Sequence, residues 1–183
     1  VVIYDITDLT HINPVQELKF PPCEPGPGKV QDRPRPHQVV LDPTNRYILV
    51  PDLGADLVRV LEISPQHCES PGFLRELDAL VLPKGSYPRH VALVSRPNNH
   101  GGDRTALYVL NQDANTLLNF QIEYPPDRGL KFLKHGEDIN LLQRCDRAIP
   151  ALEGVRTMAS HLAISVSPCP LLPLLSLQER HLC

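Results

Sequence analysis

The chain has 183 residues, 42% of them hydrophobic, enough for one domain with an ordinary core and short for two. Its 18 basic and 21 acidic residues give a net charge of −3 with no dense basic run, which excludes an electrostatic nucleic-acid footprint. Twenty prolines, roughly twice the usual ~5%, exclude a helical bundle or a doubly wound α/β domain, because proline blocks helix interiors and central strands.

Val1-Val2-Ile3-Tyr4-Asp5-Ile6 opens the chain as a β run. Residues 21–36 are dense in proline, and with Gly26 and Gly28 they predict a long exposed loop. No helix pattern follows these glycines, so they are no phosphate cradle. Pro36-His37-Gln38-Val39-Val40-Leu41 predicts a strand, and Asp42-Pro43-Thr44-Asn45-Arg46 a hairpin turn. There Pro fixes φ and Asn tolerates the left-handed conformation. Tyr47-Ile48-Leu49-Val50-Pro51-Asp52 is the next strand, residues 52–56 its turn, and Leu57-Val58-Arg59-Val60-Leu61-Glu62-Ile63 the third. A fourth, weaker run lies at residues 73–77.

The same order then recurs. Pro88-Arg89-His90-Val91-Ala92-Leu93 matches the first strand, and the Asn- and Gly-rich stretch 96–104 is a loop. Ala106-Leu107-Tyr108-Val109-Leu110-Asn111 matches the second, residues 111–115 the turn, Thr116-Leu117-Leu118-Asn119-Phe120-Gln121-Ile122 the third, and residues 130–133 the fourth. A further copy opens at Ala159-Ser160-His161-Leu162-Ala163-Ile164-Ser165, and Val1 to Ile6 reads as the third strand of a preceding copy. Residues 166–183 follow neither period 2 nor 3.6, and are expected to be a disordered or mistranslated tail.

Equivalent positions lie roughly 50–60 residues apart, and four antiparallel strands at that period describe a β-propeller blade. The fold expected is all-β. Residues 1–165 would hold the end of one blade, two fuller four-stranded blades and the start of another. Rings of this kind close with roughly four to eight blades, and 183 residues hold about three. The expectation is therefore an incomplete ring, a truncated product that self-associates through unclosed blade edges.

His37, Arg89 and Ser160 share one repeated position at the start of the first strands, the innermost strands of a propeller. They would converge at one mouth of the central channel, with Gln112 facing it from a hairpin. The bland alternatives are an inter-blade tie for His37, an ion pair for Arg89 and a plain turn residue for Gln112. His90 and His161 take the next position, and by period 2 are expected to point the other way as inter-blade packing. The five cysteines include no Cys-x-x-Cys pair, so no zinc or other metal site is expected. The apolar stretch at residues 171–175 is far short of the ~20 residues of a spanning helix, and no membrane partner is expected. No signal peptide is expected within the sequence as read; the compartment stays open, the cytoplasm slightly favoured and secretion the alternative if a leader has been removed.

Arg35-Pro36-His37-Gln38-Val39-Val40-Leu41-Asp42-Pro43-Thr44-Asn45-Arg46, followed by Val50-Pro51-Asp52-Leu53-Gly54-Ala55-Asp56, resembles the seven-bladed propeller lactonase family. Its members include bacterial-type 6-phosphogluconolactonases and fungal 3-carboxy-cis,cis-muconate cyclases. Gly85-Ser86-Tyr87-Pro88-Arg89-His90 and Tyr108-Val109-Leu110-Asn111-Gln112 resemble the next blade of that family, and the likeness runs from Val1 to Ser165. The resemblance implies a seven-bladed parent and a site without metal or cofactor. It also implies a His, an Arg and a Glu in a central cleft, with a further Arg from a later blade. The His falls on His37, the Arg on Arg89 and the Glu on Gln112; the further Arg has no counterpart here.

His37 and Arg89 are thus the expected substrate-binding residues, and His37, Arg89 and Gln112 the expected catalytic set. A neutral amide hydrogen-bonds but takes no proton, so catalysis is expected to be impaired. The expected partner is a small anionic sugar lactone, to be hydrolysed, or a muconate, to be closed into a lactone. The alternatives are a non-catalytic propeller binding protein and an inactive truncated gene product.

Overall fold

The computed structural model describes residues 1–64, 73–97, 103–126, 129–142, 156–164 and 175–182. Among them are thirteen strands and no helix, so no helix is present that could cross a membrane. A leading pair, β1 (Val2–Asp5) and β2 (Asn13–Glu17), is antiparallel. The first complete sheet runs β3 (Val40–Leu41), β4 (Tyr47–Asp52), β5 (Leu57–Ile63), β6 (Leu74–Val81), in that spatial order. The second runs β7 (Pro88–Pro97), β8 (Asp103–Asn111), β9 (Thr116–Glu123), β10 (Lys131–Lys134), with β11 (Ile139–Asn140) also on β9. A trailing pair joins β12 (Arg156–Ile164) to β13 (Leu175–Leu182).

Period-2 alternation sends successive residues of the central strands into different cores. Leu49 and Val60 point toward the second sheet, where Val91, Leu107, Val109, Leu118 and Phe120 meet them. Their neighbours Val50 and Leu61 point the other way, onto Ile3, Leu18 and Phe20 of the leading segment. In the second sheet, Leu110 and Leu117 leave the shared core and pack with Ala159 and Leu162 of β12. Each complete sheet is therefore covered on both faces, which is why its middle strands read as nearly continuous apolar runs.

The turns form as their residues dictate. Asn45, Asp56 and Asn115 adopt φ of 58°, 52° and 50°, the left-handed region that Asn and Asp tolerate best among residues with a Cβ. The buried Asp42 carboxylate accepts hydrogen bonds from the backbone N–H of Thr44, Arg46 and Tyr47, closing the first hairpin.

A charged network ties the first sheet together. Buried Asp52 accepts bonds from the backbone N–H groups of Arg35 and Gly54 and pairs with Arg59 at 2.8 Å. Arg59 also reaches Glu76 at 2.7 Å, and its guanidinium lies 3.9 Å from the centre of the Phe20 ring.

Two regions differ from the expectation. Most of residues 21–36 are exposed, but the segment is stitched down: Gln31 is fully buried and its Nε2 donates to the Leu53 carbonyl. A Cβ on Gly28 would lie 1.2 Å from the Tyr87 Oη, so only glycine admits that ring. Tyr87 itself is buried at φ 55°, outside the ordinary range for an aromatic residue. Within the expected tail, Leu175–Leu182 is ordered as β13, because β12 offers it a free edge to pair with. The expected boundary at residue 165 lies outside the described residues.

Candidate functional site

One irregularity recurs at the start of the three first strands. In β7 the pairing steps from Pro88↔Asn111 to His90↔Leu110, leaving Arg89 as the extra residue of a β-bulge. In β12 it steps from Ala159↔Glu179 to His161↔Gln178, leaving Ser160. In the first sheet, the Pro36↔Asp52 bridge and the Val40↔Leu49 pair are likewise one residue out of register, with His37 in the interval. A bulge re-aims side chains and interrupts the two-residue alternation. The repeated position is therefore a repeated bulge.

The bulges bring Arg89 and Gln112 together. Arg89 Nη1 donates to Gln112 Oε1, and Arg89 Nε donates to the Ser160 carbonyl at 3.1 Å. Gln112 is itself buried and braced. Its backbone N–H donates to the Tyr87 carbonyl at 2.8 Å, and its carbonyl accepts from Ala159 N–H at 3.1 Å. Its Nε2 donates to Asp113 Oδ1 at 3.2 Å and lies 3.4 Å from Met158 Sδ. Gln112 thus links the second sheet to β12 and aims the guanidinium, which a plain turn residue would not do.

His37 lies beside this pair, its backbone N–H bonded to Pro51 and its ring 5.2 Å from the ring of His90. The His90 ring is in turn 5.0 Å from that of His161. The expectation that His90 points away from the His37 position is overturned. With the bulge at Arg89, both Arg89 and His90 reach the Ser160 backbone of the next first strand. Inter-sheet packing does describe His90, whose ring lies between those of His37 and His161. Gln38 adds a second tie, its Oε1 accepting from Val91 N–H at 2.7 Å.

The electrostatics follow from crowding four basic side chains. Burial, and next the positive Arg89, hold the His37 imidazolium pKa below its ordinary value. Burial, with the charges of His37, His161 and Arg89, pushes His90 down to about 4. His90 is therefore neutral at pH 7, and folding must exclude a proton that the unfolded chain accepts near pH 6.5. A depressed His pKa makes stability fall as pH drops from about 6.5 toward 4, and level off below. Thermal melting across that range should show the decline, and His90→Asn should flatten it. An unchanged pH slope in that variant would remove His90 as the cause.

Among the described residues no cluster of His, Cys, Asp and Glu has the geometry of a metal site. Sequence reasoning found the repeated position and the paired His90 and His161, but missed the bulge, the approach of His37 to His90 and the Met158 contact.

Four-stranded antiparallel sheets packed face on face in chain order, with their first strands presenting polar residues at one repeated position, define an arc of a β-propeller. The family described as "Lactonase, 7-bladed beta-propeller" matches residues 1–154, and the chain belongs to that family. It is 36% identical over 103 residues to a probable 6-phosphogluconolactonase of Arthroderma benhamiae, covering 54% of this chain and 24% of the relative. It is 28% identical over 123 residues to a 6-phosphogluconolactonase of Yersinia pestis, covering 67% of this chain and 30% of the relative. The periplasmic gluconolactonase of Pseudomonas aeruginosa superposes with a TM-score of 0.68 at 22% identity, over 98% of this chain and 43% of that one. A Lactobacillus plantarum protein superposes at 0.62 and 19% identity, over 97% and 50%. The chain thus spans about half of the solved structures, and its matches cover under a third of these sequence relatives.

Proposed function

We propose that this chain forms part of a site that binds a small anionic sugar lactone and hydrolyses it, as the names of its relatives describe for those proteins. One observation carries the reading: His37, Arg89, His90 and His161 crowd the bulged starts of three neighbouring first strands. Arg89 supplies the positive charge that suits a phosphate or carboxylate, and the neutral His37 ring beside it a further hydrogen-bonding group. A guanidinium held by Gln112 and Ser160 is already oriented before the anion arrives.

His37, kept neutral, is the group able to take a proton from water attacking the lactone carbonyl. As the ring C–O bond breaks, the imidazolium returns that proton to the leaving oxygen, giving the open hydroxy acid. Gln112 assists by hydrogen bonding alone, so turnover rests on one base and is expected to be slow. The relatives' names favour hydrolysis over muconate closure. The amide at Gln112 favours a second reading, anion binding without turnover.

The test pairs acid release from 6-phosphogluconolactone with calorimetric binding of 6-phosphogluconate. Arg89→Ala should weaken binding about 10-fold or more, the loss of one charge-assisted bond. His37→Ala should lower turnover by about 10²–10⁴ with binding little changed. Retained binding with no acid release above the spontaneous rate selects the binding reading. Absence of binding overturns both.

A further inference from the structure

Tyr87 holds a backbone conformation that both its side chain and its neighbour disfavour. Asn45, Asp56 and Asn115 share its positive φ, but Asn and Asp tolerate the left-handed region and an aromatic residue does not. Tyr87 also precedes Pro88, whose ring favours an extended residue before it. Arg35, at the equivalent position of the first sheet, makes the same bond to its hairpin, its carbonyl accepting from Leu53 N–H at 3.1 Å, without a positive φ. The repeat therefore does not require the strain. Strain of this kind persists only where the surroundings over-determine it.

Two clamps do so. The buried Asp56 carboxylate accepts from Tyr87 N–H at 2.9 Å and from Gly85 N–H at 2.6 Å, holding the backbone from the turn of the first sheet. The proline-rich segment holds the ring: the Tyr87 hydroxyl lies against Gly28, where any Cβ would overlap it. That segment is itself fixed, since Gly28 and Gln31 exchange hydrogen bonds and Gln31 is anchored on Leu53.

From Tyr87 two paths run to the anion site. The chain continues through Pro88 into the bulge at Arg89. The Tyr87 carbonyl accepts from Gln112 N–H at 2.8 Å, and Gln112 Oε1 in turn accepts from Arg89. One strained residue thus sets both members of the Arg89 and Gln112 pair.

We propose that Tyr87 is a positioning residue for this site, held left-handed by Asp56 and Gly28 so that the Arg89 guanidinium meets Gln112 and the Ser160 carbonyl. That the guanidinium clamps a lactone's anionic group rests on the function proposed above; its aim does not.

Two readouts on the 183-residue chain separate the two. One is calorimetric binding of 6-phosphogluconate together with lactone kinetics. The other is the NMR signal of the Arg89 Nε–H, assigned by its loss in Arg89→Ala. In the parent that signal should exchange slowly, because Nε–H donates to Ser160. Gly28→Ala forces the ring aside, and should shift the signal and weaken binding by up to about 10-fold, the worth of one charge-assisted bond. KM should rise with it while kcat holds, since His37 lies at the start of a different first strand. In an Arg89→Ala background Gly28→Ala should change binding less than about 2-fold, because the group it misaims is gone. Asp56→Asn keeps a residue that tolerates positive φ, as Asn115 does in the second sheet, and removes one of the two acceptors. It should reproduce both effects, and decides the matter if Gly28→Ala fails to fold. A parent that binds no 6-phosphogluconate sinks the lactone reading, and the positioning role is then decided by the NMR shift alone. An Arg89 Nε–H that exchanges freely in the parent, or that neither variant moves, would overturn the positioning role. So would a loss of binding that adds fully to that of Arg89→Ala.

Discussion

Asp52→Ala is expected to lower the unfolding free energy by about 3–5 kcal/mol, the usual result of removing one partner of a buried ion pair. Three groups lose their acceptor at once: the backbone N–H of Arg35, that of Gly54, and the Arg59 guanidinium. Arg59 is left buried between Phe20 and the half-exposed Glu76, which alone cannot replace the lost hydrogen bonds. The repeat provides its own control. In the second sheet Asn111 and Leu118 stand where the first sheet has Asp52 and Arg59, and Leu118 is buried in the core that the two sheets share. The double variant Asp52→Asn, Arg59→Leu should therefore recover most of the loss, since replacing a whole buried ion pair by neutral, well-packed groups is often neutral or stabilising. Urea unfolding at a fixed protein concentration measures both. A single variant within ~0.5 kcal/mol of the parent would show the network to be energetically idle.

How much of this was legible in the sequence depends on whether a feature leaves a mark on residue periodicity. Asn45, Asp56 and Asn115 marked the hairpins because few other residues accept a positive φ, and the structure uses all three that way. The strands between them were legible because Leu49 and Val50, or Val109 and Leu110, must each bury against a different neighbour. The bulges were not. One extra residue inside a short strand leaves the apolar pattern intact while changing the direction of every side chain before it. That is why Arg89 could be placed at the site from its repeat position while His90, beside it, was assigned to the wrong side. Burial of Gln31 was equally silent, because a fixed glutamine in a proline-rich loop looks like a solvated one. Leu175–Leu182 became a strand through its partner's free edge, a tertiary cause with no local signature.

Gln112→Glu is expected to move turnover and binding in opposite directions. The Gln112 Oε1 already accepts from Arg89, so a carboxylate there would form a charge-assisted pair with the guanidinium at a buried position. That pair partly cancels the positive charge offered to the substrate, and 6-phosphogluconate should bind several-fold more weakly. The same carboxylate is a base where the amide is none. General base catalysis contributes about 10²–10⁴-fold, so kcat for lactone hydrolysis should rise by that order. KM should rise with it, a split that no purely structural role produces. Gln112→Ala separates the brace from the base: it should weaken binding as Arg89 loses its aim, and leave kcat where it was. The measurements are acid release from 6-phosphogluconolactone and calorimetric titration with 6-phosphogluconate, on the parent and both variants. If the Glu form binds but gains no rate, the carboxylate position is not the base. Arg89 and Gln112 would then belong to a site that holds an anion without transforming it.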